Sequence, residues 1–207
     1  AALGWEDDRL ARKAKLAGLD RTGVQEALAS MGNPLDRLAT QVDVVGELYR
    51  LTEGDPLLVR LYVDALVGKG ADAAYLRAED LTTIQPGLQG YFDRWWTEQH
   101  QQWKSEGRDP LVEQENLLIL LNAVAAALGP LTHSDLAAVS ELTNGLLVRR
   151  LAETVGRWLI GDGNRQGYTF SHPRLGYYFW EQLGETEQSA WDARFTGWGA
   201  TTLEALN

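Results

Sequence analysis

Apolar side chains recur at three- and four-residue steps along almost the whole chain, and Gly, Pro, Asn and Asp break the recurrence into segments. That period belongs to the α-helix, so this chain must bury helix faces rather than sheet faces. Thr22, with Gln25 three residues on, has the pattern of a helix start. Val24, Ala27, Leu28 and Met31 then share one face until Gly32-Asn33-Pro34 stops the run. A second helix fits residues 40–51, with Val44, Val45, Leu48 and Leu51 on one side and Gly54 as its stop. Asp55-Pro56 restarts a helix at once, because Asp accepts orphan amide bonds and Pro suits the first helical position. Leu57, Leu58, Leu61, Tyr62, Ala65 and Leu66 form its apolar stripe, and Gly68 and Gly70 end it.

Residues 81–87 read as a turn into an aromatic helix, where Leu88, Tyr91, Phe92, Trp95, Trp96 and Trp103 fall at helical steps. Helical spacing of this kind favours a core face over a partner-binding stripe. The polar run 104–110 marks the expected boundary between two parts, 1–108 and 109–207. Beyond it the grammar changes. Helices fit 113–128, 132–139 (Thr132 with Asp135) and 144–155, and Gly156 closes the third. Two β-rich runs, 157–160 and 167–171, then flank Gly161-Asp162-Gly163-Asn164, which reads as a hairpin. Three helices followed by a hairpin are the order of a winged helix-turn-helix. Further helices fit 173–183 and the stretch from about Thr186, which carries Trp191, Phe195 and Trp198.

Composition removes several kinds of chemistry. The 207 residues contain no Cys, which excludes thiol nucleophiles, Cys-bound metals and disulfides, and fits a reducing, cytoplasmic setting. The apolar part of 117–128 is too short to span a bilayer, so no membrane contact is expected. Glu6, Asp7 and Asp8 make the start unlike a signal peptide, and Ala1 in place of Met reads as the edge of a longer protein. No G-x-x-x-x-G-K-[ST] phosphate loop, G-x-S-x-G or H-E-x-x-H occurs; Val67-Gly68-Lys69-Gly70 lacks the spacing. Asp162, Asn164 and Gln166 imitate a calcium loop, but Pro173 stands where its closing Glu belongs. The three histidines, His100, His133 and His172, lie on separate segments, so no metal site is expected. An enzyme in its own right is not the expectation.

Arg149, Arg150 and Arg157 sit on or just after the third helix of the expected winged part, where a DNA reader places base contacts. Against that, the chain carries a formal charge of −10, and residues 113–183 hold five Lys+Arg against seven Asp+Glu, a net of −2. Nucleic-acid binding is disfavoured on this balance. A transcription regulator with an N-terminal helical sensor domain remains the alternative, and a scaffold that binds a partner through a helix face is a third. Phe170-Ser171-His172-Pro173-Arg174-Leu175 lies where hairpin passes into helix. Free amides, the helix dipole and His172 together suit a phosphate. His172 acting simply as a hydrogen-bonded cap is the competing reading.

Three stretches carry a family resemblance. Leu51-Thr52-Glu53-Gly54-Asp55-Pro56-Leu57-Leu58 is similar to the G-x-P motif opening a lid helix in STAND-type signalling ATPases of the NACHT and NB-ARC class. Gln85-Pro86-Gly87-Leu88-Gln89-Gly90-Tyr91-Phe92-Asp93-Arg94-Trp95-Trp96 resembles the segment joining lid to winged helix in bacterial members. Phe170-Ser171-His172-Pro173-Arg174-Leu175 sits where the family has its histidine-containing MHD-like signature, with Ser171 in place of Met and Pro173 in place of Asp. Pro173 supplies no carboxylate, so a locking bond made by that Asp has no counterpart.

The resemblance covers about residues 15–183 and implies a mainly α fold: a helical AAA-type lid bundle, then a winged helix-turn-helix with one hairpin and C-terminal helices. It further implies a non-catalytic regulatory fragment. Pro56 would contact adenine and His172 a phosphate of ATP or ADP held by an upstream nucleotide-binding domain of the same polypeptide. The isolated chain would then carry no cofactor, and the intact parent would bind nucleotide and form homo-oligomers. Bacterial members of this class often serve in defence or transcriptional control.

Overall fold

Asp20 starts the first helix of unit 1 in the computed structural model, which describes residues 17–205: its Oδ1 accepts from the Gly23 amide at 2.8 Å. Thr22, the expected cap, lies inside α1 (Arg21–Ser30), because the carboxylate two residues earlier already satisfies the orphan amide. There follow α2 (Leu35–Ala39), α3 (Val42–Thr52), α4 (Pro56–Gly68), a 3-10 turn (Gly70–Tyr75) and α5 (Glu79–Thr82). Helix α2 is too short for periodicity to reveal. Burial holds it, since Leu35, Leu38 and Ala39 are all inside. The apolar faces read from sequence for α1, α3 and α4 meet in the core through Leu28, Leu48, Leu51, Leu58 and Leu61.

The link between α3 and α4 is a constrained corner. Glu53 and Gly54 are both left-handed, at φ 50° and 72°. The Gly54 carbonyl accepts from the Leu19 amide at 2.7 Å, so the chain entering α1 lies against this corner. Asp55 then caps α4, accepting from the Leu57 amide at 2.9 Å, with Pro56 in the first turn. Arg50 closes the other end of the unit: its guanidinium donates to the carbonyls of Leu81 (2.9 Å) and Ile84 (3.2 Å) and to Glu47 (2.7 Å). Leu81 lies in α5 and Ile84 just past it, so this one side chain ties α3 to the end of α5.

Helix α6 (Gly87–Ser105) carries the aromatic stripe, and the two compact units divide inside it, between Tyr91 and Phe92. The polar run 104–110, from which the sequence suggests a division at 108/109, takes in the end of α6, a turn and the first residue of α7. Its Asp109 caps α7 (Pro110–Ala126), accepting from the Leu111 amide at 2.9 Å. After α7 come α8 (His133–Val139), α9 (Gly145–Thr154), β1 (Leu159–Ile160), β2 (Thr169–Phe170), α10 (Pro173–Gln182) and α11 (Glu185–Ala205). The capping box expected at Thr132 and Asp135 is formed, and Asn144 caps α9.

β1 and β2 pair antiparallel, Leu159 with Phe170 and Ile160 with Thr169. Leu131 adds a further antiparallel bridge to Tyr168, with bonds of 3.0 and 2.7 Å. Gly167 permits this approach, because a Cβ there would stand 2.7 Å from the Leu131 backbone. The expected mainly helical fold with one small hairpin is thus present. No helix among the described residues is long and apolar enough to cross a membrane. Ala1 and Glu6-Asp7-Asp8 lie outside the described residues.

A Cβ on Gly54 would fall 2.0 Å from the Leu19 carbonyl oxygen, at a φ that L residues rarely adopt. Gly54→Ala is therefore expected to destabilise unit 1 by more than about 1 kcal/mol, read as a lowered urea midpoint. An unchanged midpoint would mean that this corner is not under constraint.

Candidate functional site

His172 is the N-cap of α10, with extended backbone (φ −150°, ψ 136°). Its Nδ1 accepts from the Arg174 amide at 3.2 Å, and its carbonyl accepts from the Leu175 amide at 3.0 Å. Pro173 between them has no N–H. The opening amides of α10 are therefore already used or missing, and the expected cradle of free amides is absent there. The competing reading of His172 as a hydrogen-bonded cap describes the geometry. One donor survives: with Nδ1 accepting, the proton of the neutral ring sits on Nε2.

Ser171 fixes the position of that histidine. Its amide donates to the Trp158 carbonyl at 2.7 Å, and its hydroxyl donates to the Arg157 carbonyl at 3.0 Å. Phe170, on the other side, stacks on Phe179 with ring centroids 5.7 Å apart. Pro56 is exposed at the start of α4 in unit 1, held by the left-handed corner and the Asp55 cap. His172 belongs to unit 2.

The three arginines proposed as DNA contacts differ in circumstance. Arg149 is exposed on α9. Arg150 is bound to α7: its Nη2 donates to both carboxylate oxygens of Glu113, at 2.8 and 3.0 Å. Glu113 is only 7% exposed and also pairs with Arg108 at 3.4 Å, so the carboxylate joins α7, α9 and the turn before α7. Arg157 is half-buried, and its Nη1 has no hydrogen-bond partner among the described residues. The Glu113 link escaped sequence reading because Glu113 stands in a polar opening stretch of α7 with Gln114, Glu115 and Asn116, and nothing local tells it from a first-turn charge.

The other two histidines, His133 and His100, are tied to neighbouring segments. His133 lies between Asn164 Oδ1 (3.3 Å from Nδ1) and the Tyr168 hydroxyl (3.2 Å from Nε2), tying the start of α8 to the hairpin turn. Burial raises the Tyr168 phenol above its ordinary value. Burial, with Asp93 adding to it, pushes Tyr178 up to about 12, so this phenol stays protonated. His100 Nε2 lies 2.6 Å from Gln114. Among the described residues no three His, Asp or Glu side chains group as metal ligands.

Asp162, first residue of the calcium-like pattern, spends its carboxylate on the turn itself. Oδ1 accepts from the amides of Asn164 (2.8 Å) and Gln166 (2.9 Å), and these bonds hold its pKa below the ordinary 3.8. No family model matches the chain, and no curated protein or solved structure matches it significantly.

Two outcomes follow from these bonds. A depressed carboxylate stabilises the turn above pH 3.8, and the contribution is lost as pH falls from there through the lower folded value. Amide NMR should show the Asn164 and Gln166 resonances shifting together in that acid range, and Asp162→Ala should abolish the shared transition. Arg150→Ala, which leaves Glu113 with Arg108 alone, should cost about 1–2 kcal/mol by denaturant titration. A neutral result would free Arg150 for an external role.

Proposed function

We propose that this chain is a regulatory part of a STAND-type ATPase, a helical lid followed by a winged helix, which senses the nucleotide held by an upstream domain of the same polypeptide. The observation that carries the proposal is that His172 caps α10 through Nδ1 and keeps Nε2–H as a donor; the motif around it resembles the family's sensing-histidine signature. Two features support it. Helix α7, the Leu131 bridge, α8, α9 and the β1–β2 hairpin follow the order of a winged helix. Pro56 presents an exposed apolar ring behind a rigid corner, as a contact for a purine base requires.

The fit to a nucleotide is partial. Pro56 and the His172 Nε2–H suit a base and a phosphate oxygen, whereas the amides of α10 have no capacity left for a phosphate. A bound nucleoside diphosphate supplies an anionic acceptor and a flat apolar base. Unit 2 supplies one donor at His172, and unit 1 supplies one apolar contact at Pro56. A hydrogen bond to a charged acceptor contributes about 1.5–3 kcal/mol, enough to shift a two-state population roughly 10- to 100-fold. Such a bond favours whichever arrangement of the parent lets it form. In this reading the parent is cytoplasmic and assembles with copies of itself when the closed arrangement is released.

In the intact parent, His172→Ala should weaken ADP binding and raise basal output. If neither changes, the sensor role is wrong. Residues 1–207 alone should bind neither ADP nor ATP in calorimetry, and micromolar affinity would overturn the fragment reading.

A winged-helix DNA-binding regulator is the second reading, favoured by Arg149, exposed on α9, and Arg165, exposed in the hairpin turn. A gel shift of duplex DNA at low salt that is lost in Arg149→Ala would promote it over the first.

A further inference from the structure

Unit 2 holds a cavity that none of the preceding roles uses. It measures about 540 Å³ and opens between the end of α7 and the middle of α11. Leu128, Pro130 and Leu131 form one wall, and Phe195 and Trp198 the other. Leu128 at its rim is fully exposed, at 108%, and is the most exposed large apolar residue among those described. The volume lies in the range of small-molecule sites, and the lining is apolar and aromatic as in such sites.

Its electrostatics are one-sided. Asp192 is the only ionisable residue in the lining, and among the described residues it makes no hydrogen bond or ion pair. The C-terminal end of α7 borders the same space through Ala126 and Ala127. That end has no basic residue in its last turn. The Ala127 amide returns to the Ala123 carbonyl, and no described backbone amide bonds to the carbonyls of Val124, Ala125 or Ala126. A carboxylate and an uncompensated helix C-terminus therefore point negative potential into one aromatic pocket. Arg194, the one cation on α11, does not answer it: its guanidinium lies over Trp191, 5.0 Å from the ring centroid.

We propose that this cavity is a binding site for a small organic ammonium ion with an apolar body. The body fills the space between Leu128, Leu131, Phe195 and Trp198. The ammonium lies at Asp192 and the α7 carboxyl end, with the aromatic faces adding cation–π attraction. An anion of the same shape meets repulsion from both negative features, and a neutral analogue gains only the apolar contact. The site is independent of the nucleotide-sensing reading and stands or falls without it.

Calorimetric titration of the full chain with phenethylammonium, 2-phenylethanol and phenylacetate tests it. The expected order of affinity is ammonium, then alcohol, then carboxylate. Asp192→Asn, at an exposed residue with no bond to any other described residue, keeps the fold and should weaken the ammonium about three- to fivefold while leaving the alcohol unchanged. Trp198→Ala should weaken ammonium and alcohol alike; where it unfolds the chain, the Asp192→Asn comparison decides alone. Equal affinity for ammonium and carboxylate, no effect of Asp192→Asn, or no binding by any of the three probes would overturn the proposal.

Discussion

Trp158 is the packing centre on which the geometry of unit 2 depends. Its indole is fully buried, with ring centroids 4.4 Å from Trp95, 4.7 Å from Phe92 and 6.1 Å from Phe179. One side chain next to β1 thereby joins α6 and α10. Its carbonyl accepts the Ser171 amide, so the segment that turns into α10 is set by the same residue. Rings of this size bury large areas and accept few relative orientations, which is why a two-residue hairpin is enough to hold the segment.

Charge is spent in a comparable way. In a chain of net −10, arginine supplies most of the positive charge, so the partners of each arginine matter. Arg50 ties α3 to carbonyls at the end of α5, Arg150 and Arg108 neutralise the buried Glu113, and Arg194 lies on Trp191. Each of these cations has its partner inside its own unit. This leaves acidic groups such as Asp192 without compensation, and it makes anionic partners costly over most of the surface.

Much of this architecture was readable in the residues. Asp55-Pro56, the Thr132–Asp135 box, Asn144 and the Gly161-Asp162-Gly163 turn each carry their chemistry within a few positions, so local rules find them. Where the local rules missed, a longer-range effect had decided the matter. Helix α2 exists because Leu35 and Leu38 are buried, not because five residues favour helix. The 104–110 run looked like a linker because it is polar, yet Asp109 caps α7 there and Arg108 pairs with Glu106 and Glu113. For the candidate site, the position of His172 was legible and its free amides were not. Pro173 and the histidine's own Nδ1 use that capacity, which depends on a side-chain rotamer.

The sequence by itself determined the helical class, most helix ends and the hairpin, because caps, prolines and left-handed glycines act within four residues. It also determined that no thiol, phosphate-loop or hydrolase motif is present. Only the tertiary structure decided where the units divide, which arginines stay exposed and which nitrogen of His172 carries the proton. It alone brought Asp192 to the end of α7. Each of these depends on residues far apart in the chain, or on a ring orientation, and the free energy that selects them comes from burial and pairing that no short window contains.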